Sequence, residues 1–379
     1  MNQTTQATRT SSGPLSGIRV VEFAGLGPAP FACMLLSDMG ADVVRIDRPG
    51  VPLGNRFDIV GRGRRTILLD LKNPSARTEA LNLLEHADVL IEGFRPGVME
   101  RLGLGPETVA ALNPKLVYGR MTGWGQDGPL SQAAGHDINY IATSGALAAI
   151  GPLDGPPILP LNLVGDYGGG SLYLVTGILA ALLESRTSGK GQVVDAAICD
   201  GVFSLMSTTL AHRLRGLHSE RRGSNLLDGG APYYSVYETS DGQYVSVGAI
   251  EPQFFALLCD KVGVSQQLRD AQHDKGRWPE LREELTRLFA RQTRAQWTRI
   301  LEGSDTCFAP VLTLSEAQAH AHNKVRTAIV DVAGVPQPAP APRFSRTPST
   351  IQGPAPSQPV MIDEIVAAWR RLMPDPPSA

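Results

Sequence analysis

Apolar positions in the first third of the chain follow two alternating periods. Residues 18–23 (IRVVEF), 42–46 (DVVRI), 88–92 (DVLIE) and 116–121 (LVYGRM) are short β-branched runs that read as buried strands. Between them, residues 31–39, 75–86 and 107–112 carry apolar positions at helical spacing, and Pro74 stands at a helix start, where a missing N–H costs nothing. This alternation predicts an α/β fold with a parallel sheet covered on both faces and right-handed crossovers. A helix over 171–184, a polar stop at 186–191 and a last strand at 193–197 complete the expected sheet.

The pattern then changes. Residues 201–217 are helical in spacing and 221–230 form a basic loop rich in Gly and Asn. Residues 233–238 and 243–247 alternate around a Ser-Asp-Gly turn, which predicts a hairpin, and helices are expected at 253–262, 278–291 and 294–301. The expected division is a disordered tail at 1–14, a large domain at 15–198, a linker at 199–229 and a small α/β domain at 230–320. A second linker at 321–342, ending in the Pro-rich run 335–342, leads to residues 343–379, which return to the large domain through a helix at 362–372.

A net charge of -2 offers no basic excess for a nucleic acid or a membrane surface, though a few local cations can still hold a small anion. The longest apolar run, 171–183, falls short of the about 20 residues that cross a bilayer. The first dozen residues lack the apolar centre of a signal peptide, so a cytoplasmic protein is expected. Cys33, Cys199, Cys259 and Cys307 form no CxxC and read as free buried thiols, and together with the histidines they show no metal-ligand spacing.

The loop after the first strand, Gly25-Leu26-Gly27-Pro28-Ala29-Pro30, with Asp47 about twenty residues on, is nearly a dinucleotide-binding pattern. Pro30 replaces its third glycine, and Arg48 stands beside Asp47, where a cation would meet a phosphate on an adenosine ribose. Arg62, Arg64, Arg65, Lys72, Arg95 and Arg101 cluster near expected strand ends or loops, as solvated surface charges or as anion ligands. Two segments carry candidate reaction chemistry: GHDINY, with His136 and Asp137, and DYGGG, which places Asp166 before a helix. Singly, His136 reads as a structural histidine and Asp166 as a helix cap. Jointly, an imidazole and a carboxylate can take and return a proton beside a carbonyl, and the amides of Gly168–170 can meet an enolate oxygen. At a helix start Asp166 is expected to stay ionised.

The segments RVVEFAGLGPAP, DVVRIDRPG, DVLIEGFRPGV, MTGWGQDGP, GHDINY, PLNLVGDYGGG, GKGQVVDA, LDGGAPYY and VGAIEPQF resemble the family III CoA-transferases, from about Leu15 to beyond Arg346. Within that family, GHDINY and GAIEPQF resemble the α-methylacyl-CoA racemase branch. The resemblance implies a Rossmann-like large domain, a smaller α/β domain and an interlocked homodimer, with the site shared between subunits. It implies that His136 and Asp166 are the acid/base pair, that Glu251 from the other subunit holds His136, and that Asp137 supports the pocket. Leu26, Arg48, Leu69, Lys72, Arg95 and Arg101 are implied as the CoA pocket, with Gly135 and Tyr140 beside the substrate. CoA arrives as part of the substrate, so no separate cofactor or metal is expected. Phe203, Leu205 and Met206 are candidates for the acyl surface or for core packing. Three other functions remain open: a CoA-transferase with Asp166 as nucleophile, a non-catalytic acyl-CoA binding protein and, more distantly, a nicotinamide-dependent dehydrogenase.

Overall fold

The structure, a computed structural model, describes residues 12–371. Within them, one compact unit runs to residue 144, resumes over 161–205 and again from 327; residues 145–160 and 206–326 form another.

The first unit is built on six parallel strands: β1 (Arg19–Phe23), β2 (Asp42–Asp47), β3 (Arg64–Leu68), β4 (Val89–Glu92), β5 (Val117–Thr122) and β6 (Val193–Ala197). Their spatial order is β3-β2-β1-β4-β5-β6. The order reverses between β1 and β4, and ligands of such sheets bind outside the carboxyl ends of the strands at that point. The helices α1 (Pro28–Asp38), α2 (Pro74–Leu84), α3 (Val98–Arg101), α4 (Pro106–Leu112) and α5 (Asp137–Thr143) belong to this unit. A short α6 (Ala146–Ala149) opens the second unit before the chain returns through a π-helix (Leu163–Ser171), α7 (Leu172–Ser188), β6 and α8 (Ile198–Leu205).

The π-helix and α7 form one continuous helix of 26 residues that contains an 18-residue stretch of mean hydropathy 1.3. It is therefore longer than the apolar run in the sequence, and its length and composition would suffice to cross a membrane. Its inner face has the contacts of a core helix: Leu174 and Ile178 are buried over Gly119 of β5, and Gly177 faces Val194 of β6.

The second unit continues with α9 (Ser207–Leu214) and an antiparallel sheet, β7 (Tyr234–Glu238), β8 (Tyr244–Gly248) and β9 (Phe308–Pro310). Against it pack α10 (Pro252–Val262), α11 (Trp278–Phe289) and α12 (Arg294–Leu301), whose apolar faces bury Phe255, Leu258, Leu281, Leu285 and Trp297 in one cluster. Two short helices, α13 (Leu314–Ala319) and α14 (Ala321–Val325), lead back to the first unit. There a hairpin, β10 (Ile329–Val332) and β11 (Val335–Pro338), precedes the last helix, α15 (Ile362–Arg371). Trp369 of α15 is fully buried, and its indole donates to Asp42 at 2.7 Å.

Several expectations need correction. The expected linker 335–342 begins as a strand, because Ala333 and Gly334 both take positive φ and turn the chain back on 329–332. The expected tail is held from its last residues: the Ser12 hydroxyl lies 3.0 Å from that of Thr350. Residues 1–11 of that tail, and the end of the helix expected to reach residue 372, lie outside the described residues. All four cysteines are free, but Cys307 is exposed and Cys199 half-buried.

β3 escaped the hydrophobic pattern because it opens with arginines, and these are neither solvated charges nor anion ligands. Arg64 is buried against Glu22 and also donates to the carbonyls of Val60 and Pro30. Arg62, just before the strand, is buried and grips Asp38 through two bonds of 3.1 and 2.6 Å. Arg65 pairs with Asp42. Removing one member of a buried pair strands the other charge, so Arg64→Ala should cost about 3–5 kcal/mol of stability. Urea unfolding would measure it, and a loss below about 1 kcal/mol, the range of a surface pair, would contradict this reading.

Candidate active site

In a parallel sheet every strand delivers its following loop to the same edge. Leu26 follows β1, Arg48 follows β2, Leu69 and Lys72 follow β3, and Arg95 follows β4. Arg101 closes α3 just beyond. Leu26 is 93% exposed. Arg48, Lys72, Arg95 and Arg101 are exposed, and among the described residues none is paired with a carboxylate. Leu69 differs, because its side chain is buried in the core with Ala76 and Leu83, which leaves any ligand contact to its main chain. Asp47 is already engaged: Arg48 N–H reaches one carboxylate oxygen at 2.9 Å and the Arg45 guanidinium the other at 3.0 Å. A ribose hydroxyl would have to displace them, which argues against the dinucleotide reading.

His136 caps α5 from an extended backbone conformation, and its amide donates to Asn139 Oδ1 at 3.0 Å. The imidazole is exposed at the start of the helix. The next residue, Asp137, turns inward and is buried, and one of its carboxylate oxygens accepts the Asp166 amide at 2.7 Å. This bond ties α5 to the π-helix. Its fit depends on Gly165, where an added Cβ would lie 2.3 Å from that same oxygen.

Asp166 is the fourth residue of the π-helix, a wide turn of the kind often found at functional sites. Its carboxylate approaches the β1 loop: a Cβ on Gly27, whose φ is 70°, would stand 3.3 Å from Asp166 Oδ2. Burial raises the Asp166 pKa above the ordinary aspartate value, and the charge of Asp137 raises it further. The His136 charge and a hydrogen bond from Asn162 pull it back down. The balance leaves the Asp166 pKa above the ordinary aspartate value, with burial the largest cause and the Asp137 charge the next.

The glycines after Asp166 also have a packing role: they lie inside the π-helix, and Cβ atoms on Gly168, Gly169 and Gly170 would meet residues of α8. A Cβ on Gly169 would meet Val202 at 2.6 Å, and one on Gly201 would lie 1.9 Å from the Gly169 carbonyl. The glycine run serves close helix packing, which fixes the height of Asp166. Tyr167 stacks on Phe31 of α1 at 4.0 Å, and the Ser171 hydroxyl lies 2.7 Å from the Pro28 carbonyl.

Tyr140 is buried; its hydroxyl donates to the Gly135 carbonyl, and its ring packs on Gly123 and edge-on to Trp124 at 4.8 Å. It holds the turn that carries His136. Glu251 lies in the second unit, exposed at the cap of α10. Burial raises the nearby Cys307 thiol pKa, and the Glu251 charge adds to the shift. Phe203 and Leu205, at the end of α8, are 58% and 49% exposed, as are Leu163 and Leu172 at 57% and 50%. They form apolar surface beside the π-helix, while Met206 belongs to the second unit.

Sequence reasoning missed two charged residues at the same edge, Glu92 and Arg120, which are paired at 3.0 Å. Their signal was present: a glutamate ending an apolar strand and an arginine inside the next one. Among the described residues, no cluster of His, Cys, Asp and Glu can hold a metal ion.

The profile of CoA-transferase family III matches residues 15–358. The chain is 47% identical over 336 residues to the alpha-methylacyl-CoA racemase of Mus musculus, covering 88% of this chain and 87% of that one. It is 44% identical over 342 residues to the Homo sapiens protein of the same name, with the same coverage of 88% and 87%. A CaiB/BaiF family protein from Brucella suis superimposes with a TM-score of 0.80 at 25% identity, covering 96% of this chain and 100% of that one. With a parallel sheet of this order and a match across most of its length, the chain belongs to CoA-transferase family III.

Proposed function

We propose that this protein is a racemase that inverts the α-carbon of 2-methyl-branched acyl-CoA thioesters. One base removes the α-proton, an enolate forms, and an acid on the opposite face returns a proton. His136 and Asp166 fill these roles and exchange them with the direction of the reaction. The observation that carries the reading is the Asp137–Asp166 bond of 2.7 Å, which brings an imidazole and a half-buried carboxylate into electrostatic reach of each other. Relatives at 47% and 44% identity that bear the racemase name support it. The free cations Arg48, Lys72, Arg95 and Arg101 suit the phosphates of CoA, and the apolar surface at Phe203 and Leu205 suits the acyl chain. The reaction calls for no cofactor beyond the CoA that the substrate carries.

A transferase would use Asp166 as a nucleophile and needs no second base. His136 beside Asp166 favours the racemase. The proposed enzyme is an interlocked homodimer in which Glu251 of the partner subunit orients His136. In support, α9 buries none of its residues and exposes Leu210 and Leu214 at 52% and 74%, a surface that a second copy would cover. Four free cysteines suit a reducing compartment, so the protein is proposed to be cytoplasmic.

One epimer of a 2-methylacyl-CoA, incubated in deuterated water without an acceptor acid, should gain deuterium at the α-carbon as it inverts. His136→Ala and Asp166→Ala should each slow inversion by about 10²–10⁴-fold, the usual contribution of a placed acid or base. Absence of wash-in, with acyl transfer on adding an acid, would establish the transferase instead.

The raised Asp166 pKa places the acid limb of kcat/KM above the ordinary aspartate range, because the base works only when ionised. Asp137→Asn removes the like charge and keeps an oxygen for the Asp166 amide. The acid limb should then move to lower pH, and an unmoved or raised limb would contradict the coupling.

A further inference from the structure

At the carboxyl ends of β4 and β5 lies a charged network that the proposed proton transfer does not use. Glu92 and Arg120 are register partners on the two strands. Glu92 is 1% exposed and accepts two bonds: the Arg120 guanidinium donates to one oxygen at 3.0 Å, and the Phe94 amide to the other at 2.7 Å. Arg120 then reaches across to Glu100 of α3 at 2.9 Å and lies over the Tyr118 ring at 5.9 Å. One guanidinium thus joins the start of the β4 loop to the helix that ends it.

The free cations lie on the loop between them and at the end of that helix. Arg95 sits at its tip, where Val98 N–H donates to the Arg95 carbonyl at 3.1 Å and Gln132 donates to the Pro96 carbonyl at 3.2 Å. Gly97 turns the chain into α3 with φ 83°, and Arg101 folds back so that its Nη1 would stand 3.2 Å from a Cβ at Gly97. Arg95 and Arg101 are exposed and unpaired among the described residues; Arg95 lies on the loop that Glu92 and Arg120 fasten at both ends, and Arg101 follows Glu100 at the end of α3. The loop also flanks the switch point between β1 and β4.

We infer that Glu92 and Arg120 are positioning residues for an anion subsite formed by Arg95 and Arg101, which takes the phosphates of the CoA substrate. This rests on the acyl-CoA reading above. Two such cations recognise a polyphosphate only if their spacing is fixed, since guanidinium–phosphate bonding is directional. The network supplies that stiffness without touching the ligand. It is a costly device for packing alone: burial pushes the Glu92 carboxyl up to about 7, against the pull of the Phe94 amide and Arg120. An apolar residue would fill the same space at less cost.

The test is a double-mutant cycle read by calorimetric titration of CoA into the full-length protein. Glu92→Leu should weaken CoA binding about tenfold, and Arg95→Ala about tenfold, while the double variant should fall within about twofold of Arg95→Ala, because residues acting through one group are not additive. Glu92→Gln, which keeps an acceptor for the Phe94 amide, should recover most of the loss. Should Glu92→Leu fail to fold, Glu100→Gln replaces it in the cycle; that side chain is 44% exposed and engages the other end of Arg120. Additive losses, or unchanged binding in Glu92→Leu, would overturn the inference and leave the acyl-CoA reading standing. Wild-type protein that does not bind CoA would overturn both.

Discussion

The bond from the Asp166 amide to the buried Asp137 carboxylate is the constraint on which the site depends. It joins two stretches of chain 29 residues apart, one entering α5 and the other winding through a π-helix. On the α5 side it sets Asp137 inward, which leaves the preceding His136 at the exposed helix start. On the π-helix side it fixes the turn that carries Asp166 against the β1 loop. Burial raises the Asp166 pKa most, and the same carboxylate that positions Asp166 adds to the rise, so geometry and acidity are linked.

Close backbone packing supports that bond from behind. Gly169 and Gly201 bring the π-helix and α8 to a separation that no side chain permits. Tyr167 on Phe31 and Ser171 on Pro28 hold the same helix to α1. α1 in turn starts from Gly27, the turn residue after β1. The parallel sheet gathers these pieces at one edge, because each strand ends there and each loop begins there.

Much of this was legible in the sequence where one force dominated. β1, β2, β4 and β5 are apolar runs buried on both faces, and their pattern admits few other readings. β3 was illegible because its burial is bought by ion pairs: Arg64 and Glu22 are both buried, and hydropathy scores them as surface. The β10–β11 hairpin reads as a linker because Pro336 and Pro338 break the pattern of β11, which leaves the β-branched run of β10 without a visible partner. At the site, His136 and Asp166 stand out by residue type, whereas the glycines of DYGGG suggest only amides free to meet an anion. Their packing role depends on Val202 and Gly201, more than thirty residues on, which no local pattern connects. Glu92 and Arg120 were passed over for the same reason, since the meaning of each lies in its register partner on the next strand.

The central claim is that two different groups serve opposite faces of one carbon, and single variants separate the faces. With each epimer of a 2-methylacyl-CoA in deuterated water, proton NMR reads α-exchange apart from inversion. His136→Ala should still exchange the α-proton of one epimer and Asp166→Ala that of the other, each far faster than it inverts. Exchange of the same epimer in both variants, or inversion at the wild-type rate in either, would contradict the two-base account.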